Sequence, residues 1–405
     1  MTQVATEARG WTAPGWEGVR DAFATNMNDG SEVGAAFSAY HHGQKVVDLW
    51  GGIADRTTGA PWEEDTIVLV YSSTKGLTAM CANRLADQGL LDVDAPVAEY
   101  WPEFGQAGKE QVPVSYLLSH QVGLAHTDGE MAYEDALTWD PVIAALEAQA
   151  PHWEPGTQHG YHATTYGWLV GEVVRRVTGR SLGTYFHDEI AVPLGAHAWI
   201  GLPESEEDRV ARLTMAMPGA GGGAGSGTED PTDIMETASL TAMIDNLLGP
   251  DNDLSKALTA PGGALSAGSI WNQRSMRAAE VPAANGVTDA RSLARCYAAC
   301  IGEVDGFRVM SDAQMERART QQTSGPNTIL FGIDLQFGLG FMLHFEMMPV
   351  GGPRSFGHFG AGGSVGWADP EAGLAAGYVM NRMDLGLVGD ARSSRLFQAC
   401  YDALG

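Results

Sequence analysis

Ile67-Val68-Leu69-Val70-Tyr71-Ser72-Ser73-Thr74-Lys75 is the stretch that decides how this chain is read. An apolar run leads directly into Ser-x-x-Lys. In an α-helix, residues i and i+3 share a face, so the hydroxyl of Ser72 and the amine of Lys75 can meet. A serine hydroxyl is a weak nucleophile until something takes or polarises its proton. A lysine that is partly desolvated has its pKa lowered enough to do so. The chain has four lysines, Lys45, Lys75, Lys109 and Lys256, and only Lys75 has a serine three positions before it. The bland alternative is a helix start capped by Ser72 with a solvated Lys75. Residues elsewhere have to decide.

A length of 405 residues is enough for a large core and two subdomains. Fifty acidic residues against 24 basic ones leave a formal net charge of −26. Nucleic acid and anionic membrane are bound through clustered Lys and Arg, so neither is expected as a partner. Cys81, Cys296, Cys300 and Cys400 lie in apolar, helix-like contexts without CxxC spacing, which predicts reduced core residues. No basic segment followed by an apolar one opens the sequence, and no apolar run approaches the ~18 residues of a membrane span. A soluble, cytoplasmic protein is expected. Oligomeric state is not legible.

Apolar residues at spacings of three to four predict a helix over 16–29. Strand-like runs at Val33–Tyr40 and Lys45–Trp50, joined around His42-Gly43, predict a hairpin. A helix from Ser72 to about Gln88 is expected to stop at Gly89. Between about 110 and 190 the pattern is mainly helical, clearest from Thr164 to Val177 with a stop at Gly179. Glycine-dense 218–228 reads as a surface loop. Helix is expected over 288–302, strand-like runs over 329–346, 355–368 and 373–381, and a last helix around Leu396–Leu404. Strands at both ends imply an α/β fold with one antiparallel sheet built from both termini and flanked by helices. The expected division is an α/β subdomain from 1–70 and 285–405, with 71–284 as a mainly helical insert. Ser72 falls at the seam, a common place for a ligand cleft.

Two further pieces bear on Ser72. Tyr161 follows the turn Trp153-Glu154-Pro155-Gly156 and precedes the helix near Thr164. It is either a structural plug or a phenol whose pKa an adjacent lysine lowers, making it a proton acceptor. His358-Phe359-Gly360-Ala361 lies between strand-like runs, where small residues on a strand edge can present backbone N–H groups to an oxyanion.

Ser72-Ser73-Thr74-Lys75, Tyr161 and His358-Phe359-Gly360 stand in the order and approximate spacing of three motifs of the serine β-lactamase and penicillin-binding-protein superfamily. The chain resembles its class C-like members, and among those the family VIII carboxylesterases. Supporting stretches are Pro61–Thr66, Leu117–Leu124, Trp153–Gly156, Val177–Ser181, Pro193–Gly195 and Gly377–Asn381. The resemblance implies a β-lactamase/DD-peptidase-like fold and no cofactor or metal. It implies Ser72 as the acylated nucleophile, Lys75 as its activating partner and Tyr161 as the general base that then protonates the leaving group. The N–H groups of Ser72 and Ala361 would form the oxyanion hole, with His358, Phe359 and Gly360 contacting substrate.

Two departures bear on substrate. The lactamase motif Tyr-x-Asn is here Tyr161-His162-Ala163, so the amide that touches a lactam side chain is missing. The motif Lys-Thr-Gly is here His358-Phe359-Gly360, so the cation that attracts a lactam carboxylate is missing. A neutral imidazole attracts a carboxylate far less than an ammonium does. Both changes favour a small-molecule ester, with short- to medium-chain carboxylic esters as the expected class.

Gly362-Gly363-Ser364-Val365-Gly366 also fits the nucleophile-elbow pattern, which requires a helix after the serine. A strand-like run follows here instead, so Ser364 is expected as a turn residue. His120, His126, His152, His159 and His162 lack a helical i, i+4 pair, and no metal is expected at them. Acyl-enzyme chemistry on other bonds, as in a β-lactamase, a D-amino-acid peptidase or amidase, or an acyltransferase, is the alternative reading. A non-catalytic binding protein is the third, disfavoured by the intact Ser72, Lys75 and Tyr161.

Overall fold

A computed structural model describes residues 7–215, 244–246, 249, 251–345, 351–384 and 389–405. The glycine-rich 218–228 lies outside the described residues. Both chain ends contribute to one antiparallel sheet, in the spatial order Arg9–Thr12, Gln44–Asp55, Gly34–His41, Leu374–Met380, Val365–Asp369, Phe356–Phe359 and Met342–Leu343, with Ala60–Pro61 pairing onto Gln44–Asp55. The predicted hairpin is present, and its two central residues, His42 and Gly43, have φ of 48° and 76°. Positive φ at both centres matches the right-handed twist of the flanking strands.

The two ends join where Leu374–Met380 pairs with Gly34–His41, in a register that puts Gly377 opposite Ser38 and Tyr378 opposite Phe37. Side chains alternate across a strand. Phe37 packs edge-on against Phe397 of the last helix, Ala391–Leu404. Gly377, on the opposite face, meets the helix Ala290–Ile301 so closely that a Cβ there would lie 2.6 Å from the carbonyl oxygen of Ala290. Both faces are therefore covered. Strands covered on both faces lose polar alternation, which is why Gly34–His41 and Leu374–Met380 are buried nearly throughout.

The helices Thr74–Asp87 and Thr165–Thr178 pack together in the central part of the chain. Thr165–Thr178 ends as expected at Gly179, in the left-handed conformation at φ 71°. A small three-stranded sheet of Val68–Leu69, Val287–Thr288 and Ala198–Trp199 straddles both positions at which the sequence reading divides the chain.

One expectation differs from the structure. Among the described residues of the strand-like run 329–346, the one strand is the short Met342–Leu343. Leu330, Leu335, Phe337, Leu339 and Phe341 are buried and Phe331 is exposed, and the chain turns repeatedly between them. Gly332 and Gly340 have φ of 75° and 88°, and Phe331 has 55°. Such residues break a strand, and the side chains pack individually instead, Phe337 against His120 and Tyr161 and Phe341 against Tyr297 and Phe356.

Candidate active site

Ser72 is held at the site by a short, strained approach. Tyr71, immediately before it, has φ 44°, a conformation that a bulky L-residue rarely adopts. The bend carries the chain from Val68–Leu69 into a 3-10 turn over Tyr71–Ser73, which feeds the helix Thr74–Asp87. The sequence reading started an α-helix at Ser72; the first turn is tighter, and the i, i+3 contact survives. Lys75 Nζ lies 3.1 Å from Ser72 Oγ. A Cβ at Gly76 would sit 2.0 Å from the Tyr297 hydroxyl, so glycine after the lysine lets this helix approach Ala290–Ile301.

Lys75 is fully buried. It donates to the carbonyls of Ala163 at 2.6 Å and Ala283 at 3.0 Å. Burial pushes its amine well below the ordinary lysine value. Nζ thus faces three oxygens, those two carbonyls and Ser72 Oγ. Once the amine is deprotonated, the carbonyls can hold its two N–H groups and its lone pair is free for Ser72 Oγ.

Tyr161 lies with its ring centroid 4.8 Å from Lys75 Nζ, and its phenol is hydrogen-bonded to Ser72. Burial raises its pKa above the usual phenol value. The sequence reading expected a lowered one, from a lysine ammonium; desolvation, the largest influence on both groups, favours the uncharged form of each instead.

Tyr161 is fixed by Asn327, which no sequence pattern singles out, and by His120 and His162. The side-chain oxygen of Asn327 accepts from the N–H of Tyr161, Ile329 and Leu330. His120 accepts the His162 N–H through Nδ1, and its ring lies 5.1 Å from that of Tyr161. His162 accepts the Leu124 N–H through Nε2, and burial drops its pKa to about 3. These histidines are therefore neutral positioning groups. The only signal for Asn327 was an Asn in a loop, too common to read.

Ala361 begins the short turn Ala361–Gly363 and Ser72 lies within Tyr71–Ser73, positions whose N–H groups have no acceptor inside the turn. Both residues line one cleft with Tyr71, Leu258, Leu265 and Trp271. Its cavity volume is about 80 Å³, and none of its lining residues among those described carries a charge. His358, Phe359 and Gly360 do not line it. His358 is buried, its ring 6.2 Å from that of Tyr161, with Nδ1 donating to the Phe359 carbonyl at 2.7 Å. Burial, reinforced by Lys75, holds its pKa well below the ordinary value. Phe359 packs on Trp367 with ring centroids 5.3 Å apart. Gly360 closes on Val70, whose carbonyl a Cβ would approach to 2.2 Å.

Ser364 is buried, its hydroxyl donating to the Val70 carbonyl at 2.8 Å and lying 3.1 Å from Ser73 Oγ. The strand Val365–Asp369 follows it, not a helix. An elbow nucleophile needs the opposite.

With a buried Lys75 on Ser72 and Tyr161 beside both, the match to known proteins falls where the chemistry would place it: the Beta-lactamase family model covers residues 19–399. The chain belongs to the β-lactamase family. Within that family it is 38% identical over 369 residues to Esterase/beta-lactamase LipL of Mycobacterium tuberculosis, an alignment spanning 89% of this chain and 80% of LipL. A family VIII carboxylesterase crystal structure matches with a TM-score of 0.84 and 39% identity, covering 98% of this chain and all of that one. A penicillin-binding-protein homologue from Caulobacter crescentus also gives a TM-score of 0.84, at 36% identity, with the same coverage of both chains. The β-lactamase-family fold expected from the sequence, with its antiparallel sheet and flanking helices, is the one observed.

Proposed function

We propose that this protein is a serine carboxylesterase acting on short- to medium-chain esters through an acyl-serine intermediate. Ser72 Oγ attacks the ester carbonyl carbon, and its proton passes to the lone pair of Lys75. The tetrahedral oxyanion is held by the N–H groups of Ser72 and Ala361, donors aimed where charge develops. The C–O bond to the alcohol then breaks. Tyr161 gives its proton to the departing alkoxide, and the Lys75 ammonium restores the phenol. Water repeats the sequence on the acyl-enzyme, releasing the acid and Ser72.

The observation that carries the ester assignment is the uncharged cleft around Ser72, with a buried, neutral His358 in place of a cation. A β-lactam carboxylate would find no fixed positive charge among the described residues that line it. A charge-assisted hydrogen bond is worth roughly 1.5–3 kcal/mol, about ten- to a hundredfold. A neutral acyl group needs only apolar walls, and a small cavity suits a short chain. The carboxylesterase structure supports this reading, and LipL, whose name joins esterase and β-lactamase, supports the ester chemistry while keeping the lactamase alternative in view. The test is a panel of p-nitrophenyl esters of increasing acyl length, with nitrocefin as control, on wild type and Ser72→Ala. Opening nitrocefin faster than cleaving p-nitrophenyl butyrate would promote the lactamase alternative.

A reducing, cytoplasmic setting is part of this proposal. It rests on four free, buried cysteines, Cys81, Cys296, Cys300 and Cys400. Among the described residues, no helix is long and apolar enough to cross a membrane.

A further inference from the structure

The sequence reading expects no metal at the histidines, because they lack helical spacing. Folding supplies the proximity that spacing did not. His126 and Asp128 on one loop meet His152 on another, and one donor atom from each falls within 4.8 Å of the other two. His152 Nε2 is 3.3 Å from Asp128 Oδ1, and His126 Nδ1 is 3.9 Å from the same oxygen. The two imidazole rings lie 3.9 Å apart at 40°.

What surrounds these three residues fixes them as ligands. The other nitrogen of His152, Nδ1, donates to the Gly123 carbonyl at 3.2 Å, so Nε2 is the nitrogen turned to Asp128, and a metal there would replace the proton it shares with that carboxylate. The other nitrogen of His126, Nε2, faces Asp253 Oδ1 at 3.9 Å. The second oxygen of Asp128 accepts from Gln149 Nε2 at 2.9 Å, which leaves Oδ1 to the histidines. A carbonyl behind His152 and an amide behind Asp128 are outer-shell groups of the kind that metal-binding imidazoles and carboxylates ordinarily have, while Asp253 stands near His126 without a hydrogen bond to it. Lys256, the nearby cation, is paired with Asp251 at 2.7 Å.

We propose that His126 Nδ1, His152 Nε2 and Asp128 Oδ1 form a binding site for one borderline divalent transition-metal ion of the zinc class, separate from the Ser72 cleft. Two imidazoles and a carboxylate suit such ions and not magnesium or calcium, which prefer oxygen donors. Tetrahedral bonds of about 2.0–2.1 Å put ligand atoms roughly 3.3 Å apart. The His152–Asp128 distance already matches, and the other two separations, all within 4.8 Å, close by small side-chain movements of Asp128 and the histidines on binding. Solvent reaches the site through a cavity of about 270 Å³ lined by His126, Asp128, Thr259 and Gly262. The metal would tie two loops together beside the helix Asp253–Thr259, whose Leu258 lines the catalytic cleft.

The test uses the tag-free full chain, stripped with EDTA and desalted, titrated with CoCl2 as a spectroscopic probe and with ZnCl2 by calorimetry. One ion per chain is expected, with cobalt bands of four- or five-coordinate geometry that zinc abolishes and excess magnesium does not. His152→Gln and His126→Gln should each weaken binding at least about a hundredfold, and Asp253→Asn about tenfold, while ester hydrolysis shows that each variant is folded. If a variant fails to fold, zinc protection of His126 and His152 from diethyl pyrocarbonate, mapped by mass spectrometry on wild type, reads the same site. Equal affinity in wild type and the His126→Gln/His152→Gln double variant overturns the proposal, as does the absence of stoichiometric binding or of protection.

Discussion

Lys75 Nζ stands 3.1 Å from Ser72 Oγ, and its remaining contacts are the carbonyls of Ala163 at 2.6 Å and Ala283 at 3.0 Å. Guanidinium cannot release a proton at working pH. Lys75→Arg should therefore be nearly as damaging as Lys75→Ala in kcat/KM. Recovery of most activity in Lys75→Arg would refute the base assignment.

The depressed pKa of Lys75 has a second consequence with a definite sign. Between its lowered folded value and the ordinary 10.5, the unfolded chain binds the proton and the folded one does not. Stability then rises with pH across that window, by up to about 1.4 kcal/mol per pH unit from this group. Measured by denaturant unfolding from about pH 8 to 10, wild type should gain stability relative to Lys75→Met. Parallel curves would mean that Lys75 is protonated in the native protein.

Ser72→Ala should cost several orders of magnitude in turnover, as when a covalent route is removed. Ser364→Ala should retain substantial activity where it folds. Mass spectrometry after fluorophosphonate treatment should find the adduct on Ser72, and an adduct on Ser364 instead would end the assignment.

Arg392 is buried, paired with Glu32 and Asp390, and its Nη2 donates to the Gly362 carbonyl at 2.7 Å, one residue past Ala361. It holds the turn that presents the Ala361 N–H. Arg392→Met should destabilise the fold by about 3–5 kcal/mol, because it leaves buried carboxylates without their partner. Arg392→Lys keeps the charge but loses the fork, and should lower kcat about tenfold or more with KM little changed. An unchanged kcat would reduce Arg392 to a purely structural role.

Leu265 lines the cleft and is otherwise buried. Leu265→Ala should move the preferred acyl length upward and Leu265→Phe downward, each by several-fold in relative kcat/KM. An unaltered length profile in both variants would place the acyl chain elsewhere.

Ser72, Lys75 and Tyr161 were legible because each sits at a fixed offset in a short motif, and the structure gathers all three. The sheet was legible because hairpin chemistry at His42-Gly43 and apolar runs at both ends need no distant information. Three things were not. The turns over 329–341 have the same apolar content as strands, and only the individual packing of their side chains decides otherwise. The cleft wall was sought at Phe359, next to the motif, but Leu258, Leu265 and Trp271 provide it from a stretch with no motif. Tyr161's proton affinity is read in the sequence from the charge of its neighbour, whereas burial, which opposes charge on both groups, raises it.

The carbonyls that accept from Lys75 lie 88 and 208 positions further along the chain, and Ala361 reaches Ser72 across the whole central region. Contacts of such sequence separation form late, after long loops have closed. Until then Lys75 is hydrated and charged, and Ser72 is an ordinary alcohol. A nascent or half-unfolded chain is thus chemically silent, and ester turnover during refolding should appear only with the last kinetic phase, making the active site a reporter of completed topology.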